Sequence, residues 1–224
     1  MRAAEPALEV YRPPAEPTKF CSLCPRLAGF RSENRARHDG WFNGAVPSFG
    51  DPGARLLIVG LAPGLQGANR TGRPFTGDYA GDLLYKTLLE FGLAKGSYGA
   101  DPSDGLTLVD SMITNAVRCA PPQNKPTPAE IAICRPFLAA RIAALPALRA
   151  ILCLGRIAHD STLAALGITA SAAPFAHGAR HGAPPRIALF DSYHCSRYNT
   201  NTGRLTESMF QRVFADVSAY LAAA

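Results

Sequence analysis

Four short apolar runs, each leading through a polar loop into a helical pattern, constrain this chain more than any other feature. Ala54-Arg-Leu-Leu-Ile-Val-Gly60 reads as a buried strand entered from the turn Gly50-Asp-Pro-Gly53. A second strand is expected within Leu106 to Val117, a third at Ala150 to Leu154 and a fourth at Arg186 to Phe190. Between them, Asp78 to Phe91 carries leucines at helical spacing, with Gly92 as a stop. Thr127-Pro-Ala-Glu130 is a capping-box pattern with proline at the first helical position, opening a helix that runs to about Leu145. Helices are also expected from about Arg156 to Leu166 and from Thr206 to Leu221.

Strands alternating with helices pair in parallel through right-handed crossovers. The expected fold is therefore α/β, a three-layer α/β/α arrangement around a central four-stranded parallel sheet. No internal repeat divides the chain, so residues 1–224 read as one domain, with 1–18 an irregular Pro- and Glu-rich segment. In such open sheets ligands bind outside the carboxyl ends of the strands. The segments after Gly60, Val117, Leu154 and Asp191 are accordingly where chemistry is sought.

The first of these, Gly60 to Asp78, is the richest. Five glycines and two prolines, among them Gly60, Pro63 and Gly64 around Ala62, forbid regular structure and let backbone approach a ligand. Arg70 and Arg73 suit phosphate, and Phe75 is a surface on which a base could stack. Asp78 reads as the N-cap of the following helix and equally as a rigidly held functional carboxylate; the two roles coexist. The segment matches neither standard phosphate-loop pattern. Asn115, at the end of the second strand, can donate and accept at once, as reading a base edge requires, or it is a satisfied buried amide. Asn124 and Lys125 follow in a loop. His194, after the last strand, stands among polar and aromatic residues, and its neighbour Cys195 is a weaker candidate for a nucleophile.

Six cysteines are present. Cys21 and Cys24 form C-x-x-C, and Cys119 and Cys134 follow far downstream; in a reducing compartment disulfides are not expected, which leaves metal ligation, catalysis or burial, and four cysteines suit a zinc site. Cys153 lies in an apolar run and reads as core. The net charge of +6 is compatible with an anionic partner such as DNA. No leader pattern and no bilayer-length apolar run is seen, so a soluble, cytoplasmic protein is expected, with no membrane partner. The sequence argues against a zinc nucleobase deaminase, because none of the five histidines is followed by x-Glu.

Taken together, Gly60-Leu-Ala-Pro-Gly64 with Arg70-Thr-Gly-Arg-Pro-Phe-Thr-Gly-Asp78 resembles motif 1 of the iron–sulfur uracil-DNA glycosylases. His194-Cys-Ser196-x-x-Asn199 resembles the second motif of their family 5, or type B. The family-4 enzymes carry an acidic residue where this chain has Leu61. The cysteines match the family's cluster ligands in order and spacing, and the resemblance spans roughly residues 20–215.

The resemblance implies a [4Fe–4S] cluster held by Cys21, Cys24, Cys119 and Cys134, with a structural role. It also implies a monomeric, monofunctional hydrolase that removes uracil, and other deaminated bases such as hypoxanthine, from DNA. Gly60, Ala62, Pro63, Gly64, Phe75 and Asn115 would form the base pocket, with Phe75 stacking on the base and Asn115 sharpening uracil recognition. Asp78, aided by Asn124, would handle the attacking water, and His194 would stabilise the departing base. Arg70, Arg73, Ser196, Arg197 and Asn199 would meet the DNA. The alternative is a non-catalytic, cluster- or metal-bearing module that binds damaged DNA, which would not need Asp78 and His194 at strand ends. Phe175 to Pro184 reads as a loop within reach of DNA, with no assigned role.

Overall fold

The computed structural model describes residues 15–183 and 186–223, so most of the expected irregular segment, 1–14, lies outside the described residues, as does Pro184. The elements run α1 (Pro25–Arg37), β1 (Phe49–Gly50), β2 (Leu56–Gly60), α2 (Ala68–Thr71), α3 (Tyr79–Glu90), β3 (Ala94–Lys95), β4 (Thr107–Leu108) and β5 (Ser111–Asn115). They continue with α4 (Pro128–Ala143), β6 (Ala150–Leu154), α5 (Arg156–Leu166), β7 (Arg180–Ala183), β8 (Ile187–Ser192), α6 (Arg197–Asn201) and α7 (Glu207–Ala223).

The sheet order is β1-β5-β2-β6-β8-β7. Its four central strands are parallel, as the alternation requires. Each edge then gains a short antiparallel strand, β1 on β5 and β7 on β8. The sheet is thus wider than expected, and part of the segment read as a loop before Pro184 is strand. Arg180-His-Gly-Ala183 has no apolar alternation; its ladder to β8 is what makes it a strand.

The central strands are buried along their whole length, as their unbroken apolar runs demand. Leu56, Ile58, Leu152 and Phe190 face α3 and α7, whereas Leu57, Val59, Ile151 and Leu189 face α4 and α5. That is the three-layer arrangement. Two helix starts are built as their sequences dictate. In α4 the Thr127 side chain accepts from Glu130 N while the Glu130 carboxylate accepts from Thr127 N. In α3 the Asp78 side chain accepts from Gly81 N at 3.2 Å.

The helix α1 was not anticipated, because Pro25 to Arg37 has no apolar stripe. It is anchored by Leu27 and by the buried polar residues Arg31 and Asn34. Leu27 joins Ala45, Val117 and Phe137 in a separate apolar cluster that contains Cys119 and Cys134.

Candidate active site

The strands β2 and β5 end together, with Gly60 paired to Asn115. A side chain at Gly60 would sit 2.6 Å from the tip of the Phe75 ring and would also strike the Asn115 amide oxygen. Glycine there lets the aromatic ring lie across the strand ends. Phe75 itself has a left-handed backbone, φ 52°, which is costly for a bulky residue and persists only when its surroundings fix it. Tyr98 Oη donates to the Phe75 carbonyl at 3.2 Å, and Gly81 leaves room for that carbonyl where any Cβ would collide with it.

Beyond the strand ends lies a cleft of about 440 Å³. Its walls bring together Ala62, Pro63, Gly64, Phe75, Asp78, Asn115, Asn124, His194, Ser196 and Arg197 from four separate chain segments. Gly60 supports the Phe75 ring from beneath. Asn115 is 3% exposed, and its Oδ1 has no hydrogen-bond partner among the described residues. Such a group costs stability unless a ligand or water meets it, which favours the base-edge reading of Asn115 over that of a satisfied amide.

One oxygen of Asp78 is held by the helix start. The other faces Gly64 and Gly67, where a methyl group would clash with it. Burial raises the pKa of Asp78 above the ordinary carboxylate range, against the pull of the Gly81 and Ala80 backbone hydrogen bonds. Across the cleft, the half-buried His194 ring stacks near Phe75, with centroids 5.9 Å apart. Burial lowers its pKa to about 4, so the imidazole is neutral at physiological pH and can donate one hydrogen bond without carrying charge.

Asn199 Nδ2 donates to the His194 carbonyl at 2.8 Å and so braces the histidine from behind. Ser196 caps α6, accepting from Asn199 N. Asn124 stands exposed on the rim with a left-handed backbone, φ 57°. Arg70 and Arg197 are exposed beside the cleft, and Arg197 lies over the Tyr79 ring.

Arg73 differs from expectation. It is 4% exposed, and both of its terminal nitrogens bond Asp104, at 2.8 and 2.7 Å, while Nε donates to Thr76 Oγ1. Those hydrogen bonds hold Asp104 well below the usual carboxylate range. The guanidinium is turned into the protein and pins the loop that carries Phe75, so it does not face a phosphate. Cys195 is fully buried, and its Sγ donates to the Ala80 carbonyl; desolvation raises its thiol pKa, which removes it as a nucleophile.

Tyr98 and Tyr79 escaped the sequence reading. Each lies in or beside a stretch with no distinguishing spacing, and only the fold brings them to Phe75 and to the rim. A buried network behind His194 was equally hidden. His159 Nδ1 lies 2.7 Å from Asp191 Oδ1 and Nε2 lies 2.8 Å from the Ala173 carbonyl, tying α5 to the end of β8.

The four cysteines Cys21, Cys24, Cys119 and Cys134 line one small void of about 20 Å³, with Leu27, Val117 and Phe137. Arg31 Nη1 donates to Cys119 Sγ and Arg118 N to Cys134 Sγ, each at 3.3 Å. Both arginines are buried. Desolvation by burial pushes the thiol of Cys24 up to about 11 and that of Cys134 up to about 12.

Residues 47–218 match the family described as the Uracil DNA glycosylase superfamily. A type-5 uracil-DNA glycosylase of Thermus thermophilus is 48% identical over 201 residues, covering 88% of this chain and 91% of that protein. The chain belongs to the type-5 uracil-DNA glycosylases. The type-5 protein of Mycobacterium leprae is 43% identical over 88% of this chain and 89% of its own. A type-4 protein of Sulfurisphaera tokodaii is 31% identical over 75% of this chain and 73% of its own, in keeping with the type-5 assignment drawn from Leu61. Among the described residues no helix is long and apolar enough to cross a membrane.

Proposed function

We propose that this chain is a monofunctional glycosylase that hydrolyses the bond between deoxyribose and uracil in DNA, leaving an abasic site. The observation that carries this reading is the single cleft that holds a fixed carboxylate, an aromatic ring, an unpaired buried amide and a neutral imidazole. A stacked base is out of reach, so the target nucleotide is extruded at a cost of a few kcal/mol. Phe75 receives the face of the base, and Asn115 meets its polar edge. Cleavage places positive charge on the sugar and negative charge on the base. The second oxygen of Asp78 stabilises the oxocarbenium-like sugar and orients water, as carboxylates do in glycoside hydrolysis. Asn124, on the rim, assists with that water. His194 donates to a base oxygen and stabilises the leaving anion, on the logic of an oxyanion hole.

Arg70, Arg197 and the Ser196 turn meet the DNA backbone beside the cleft. The enzyme acts as a monomer, and gel filtration of the purified protein tests this. Hypoxanthine, another deaminated base, is the second substrate expected in the same cleft.

Cys21, Cys24, Cys119 and Cys134 would hold a [4Fe–4S] cluster. The fit rests on four thiols around one apolar void, two of them already accepting N–H donors beside buried arginines whose charge offsets the cluster's thiolates. Four thiols also suit a zinc ion, and the iron and zinc contents of the purified protein separate the two. Bound there, the cluster would tie Cys24 at the start of α1 to Cys119 after β5 and Cys134 in α4, beside Ala62 of the cleft wall.

The test is release of free uracil from duplex DNA carrying one uracil, with a hypoxanthine duplex in parallel and borohydride present to trap any Schiff base. Uracil release without trapping is expected. No release from either duplex would leave a damage-binding module.

A further inference from the structure

A second cleft, also of about 440 Å³, lies on the far side of His194 and shares Leu61 and His194 with the first. We infer that it is a subsite for the nucleotide next to the extruded one on the same DNA strand, with its base held on a platform of arginine and aromatic planes. This rests on the proposed action on DNA.

The platform has two halves. From the start of α5, Arg156 places its guanidinium over the Phe175 ring at 5.2 Å. From the segment before α7, Arg204 lies over Tyr193 at 4.7 Å. His177 also stacks on Tyr193, its ring nearly parallel at 5.0 Å. His177 Nδ1 also accepts from Tyr193 N at 3.2 Å, so the tyrosine is held from two directions. Phe175 in turn rests edge-on against the buried His159.

Arg156 and Arg204 are exposed, and neither takes part in an ion pair among the described residues. Two unpaired guanidiniums on buttressed aromatic rings suit a ligand that is at once planar and anionic. A nucleotide is both: its base stacks on a guanidinium plane and its phosphate meets the cation. The shared wall decides which nucleotide. A strand that leaves the first cleft past His194 enters the second directly.

The arrangement also gives Phe175 to Ala183 a role. The short strand β7 and its preceding turn carry Phe175 and His177 to the edge of β8, beside the residues that lead to His194.

The experiment measures binding of DNA by fluorescence anisotropy and excision by single-turnover kinetics, on the full-length enzyme. The probes are single-stranded oligonucleotides with one uracil or one stable abasic analogue, either long, or trimmed so that the target ends the 5′ side or the 3′ side. Arg156→Ala with Arg204→Ala, both at exposed positions, should weaken binding of the long oligonucleotide at least tenfold. The loss should shrink to less than twofold on the oligonucleotide trimmed on one particular side, which would also identify that side. Phe175→Leu, which keeps an apolar group against His159, should show the same pattern. A loss that is equal on all three oligonucleotides, or no loss on any, would overturn the subsite. Wild type that binds with the trimming pattern but releases no uracil would refute the catalytic reading while leaving the subsite standing.

Discussion

Gly67 is the position where a single methyl group should separate the fold from the chemistry. A Cβ there would lie 2.8 Å from Cγ and 3.0 Å from Cβ of Asp78, and nearer still to Oδ2. Ordinary van der Waals contact begins at 3.4 Å, so the carboxylate must retreat by on the order of 1 Å. The three atoms that this methyl group would meet all belong to the Asp78 side chain. A misplacement of this size in a reacting group costs roughly 100-fold in rate. Gly67→Ala should therefore lower the single-turnover rate of uracil release about 100-fold, while DNA affinity changes less than threefold. The thermal midpoint should fall by only a few degrees, since Asp78 can rotate toward the cleft and still cap α3. Gly64→Ala, with 2.8 Å to Oδ2 alone, should be milder. Gly67→Ala with the full rate and a native midpoint would refute the claim that the reaction depends on where the Asp78 carboxylate is fixed.

The acid limb of the pH–rate profile should belong to Asp78 and lie above the ordinary aspartate value of about 3.9, because burial raises its pKa. His194, neutral down to about 4, should contribute nothing between pH 5 and 8; a second ionisation in that window would contradict this. Arg73→Ala should cost about 3 kcal/mol of stability by stranding Asp104, and Arg70→Ala almost none, as read by denaturant unfolding. In salt titrations of DNA binding the order should reverse, with Arg70→Ala alone flattening the slope. Cys119→Ser should lose the visible absorbance and iron content of the purified protein together with much of its yield; wild type that is colourless, folded and loaded with zinc would contradict the cluster.

The layers of the fold were legible because each central strand is buried on both faces and reads as an unbroken apolar run, and because Thr127 to Glu130 announces its helix. The edges were not. Strands β1 and β7 are made by pairing, and α1 by the ring of cysteines and by Arg31, none of which leaves a period in the sequence. In the site, Asp78, Asn115, Phe75 and His194 could be named because strand ends and a glycine-rich loop must deliver their residues to one crevice. Arg73 could not be told from Arg70. Both are arginines in the same loop, and the difference lies in Asp104, thirty-one residues away, on a turn that only the tertiary structure brings close. The arginine platform at Arg156 and Arg204 was hidden for the same reason.

The central claim is that a carboxylate fixed at Asp78 breaks the bond to an extruded base. It is tested most directly by the single-turnover rate of Asp78→Asn on uracil-containing duplex, measured alongside DNA affinity and thermal stability. Asparagine caps a helix as well as aspartate does. The raised pKa means that Asp78 stabilises the fold when protonated, a contribution lost as pH rises through its folded-state value. At neutral pH the variant should thus be at least as stable as wild type and bind DNA as tightly, yet release uracil slower by a factor of 100 or more. An Asp78→Asn enzyme that keeps the wild-type rate would contradict the account.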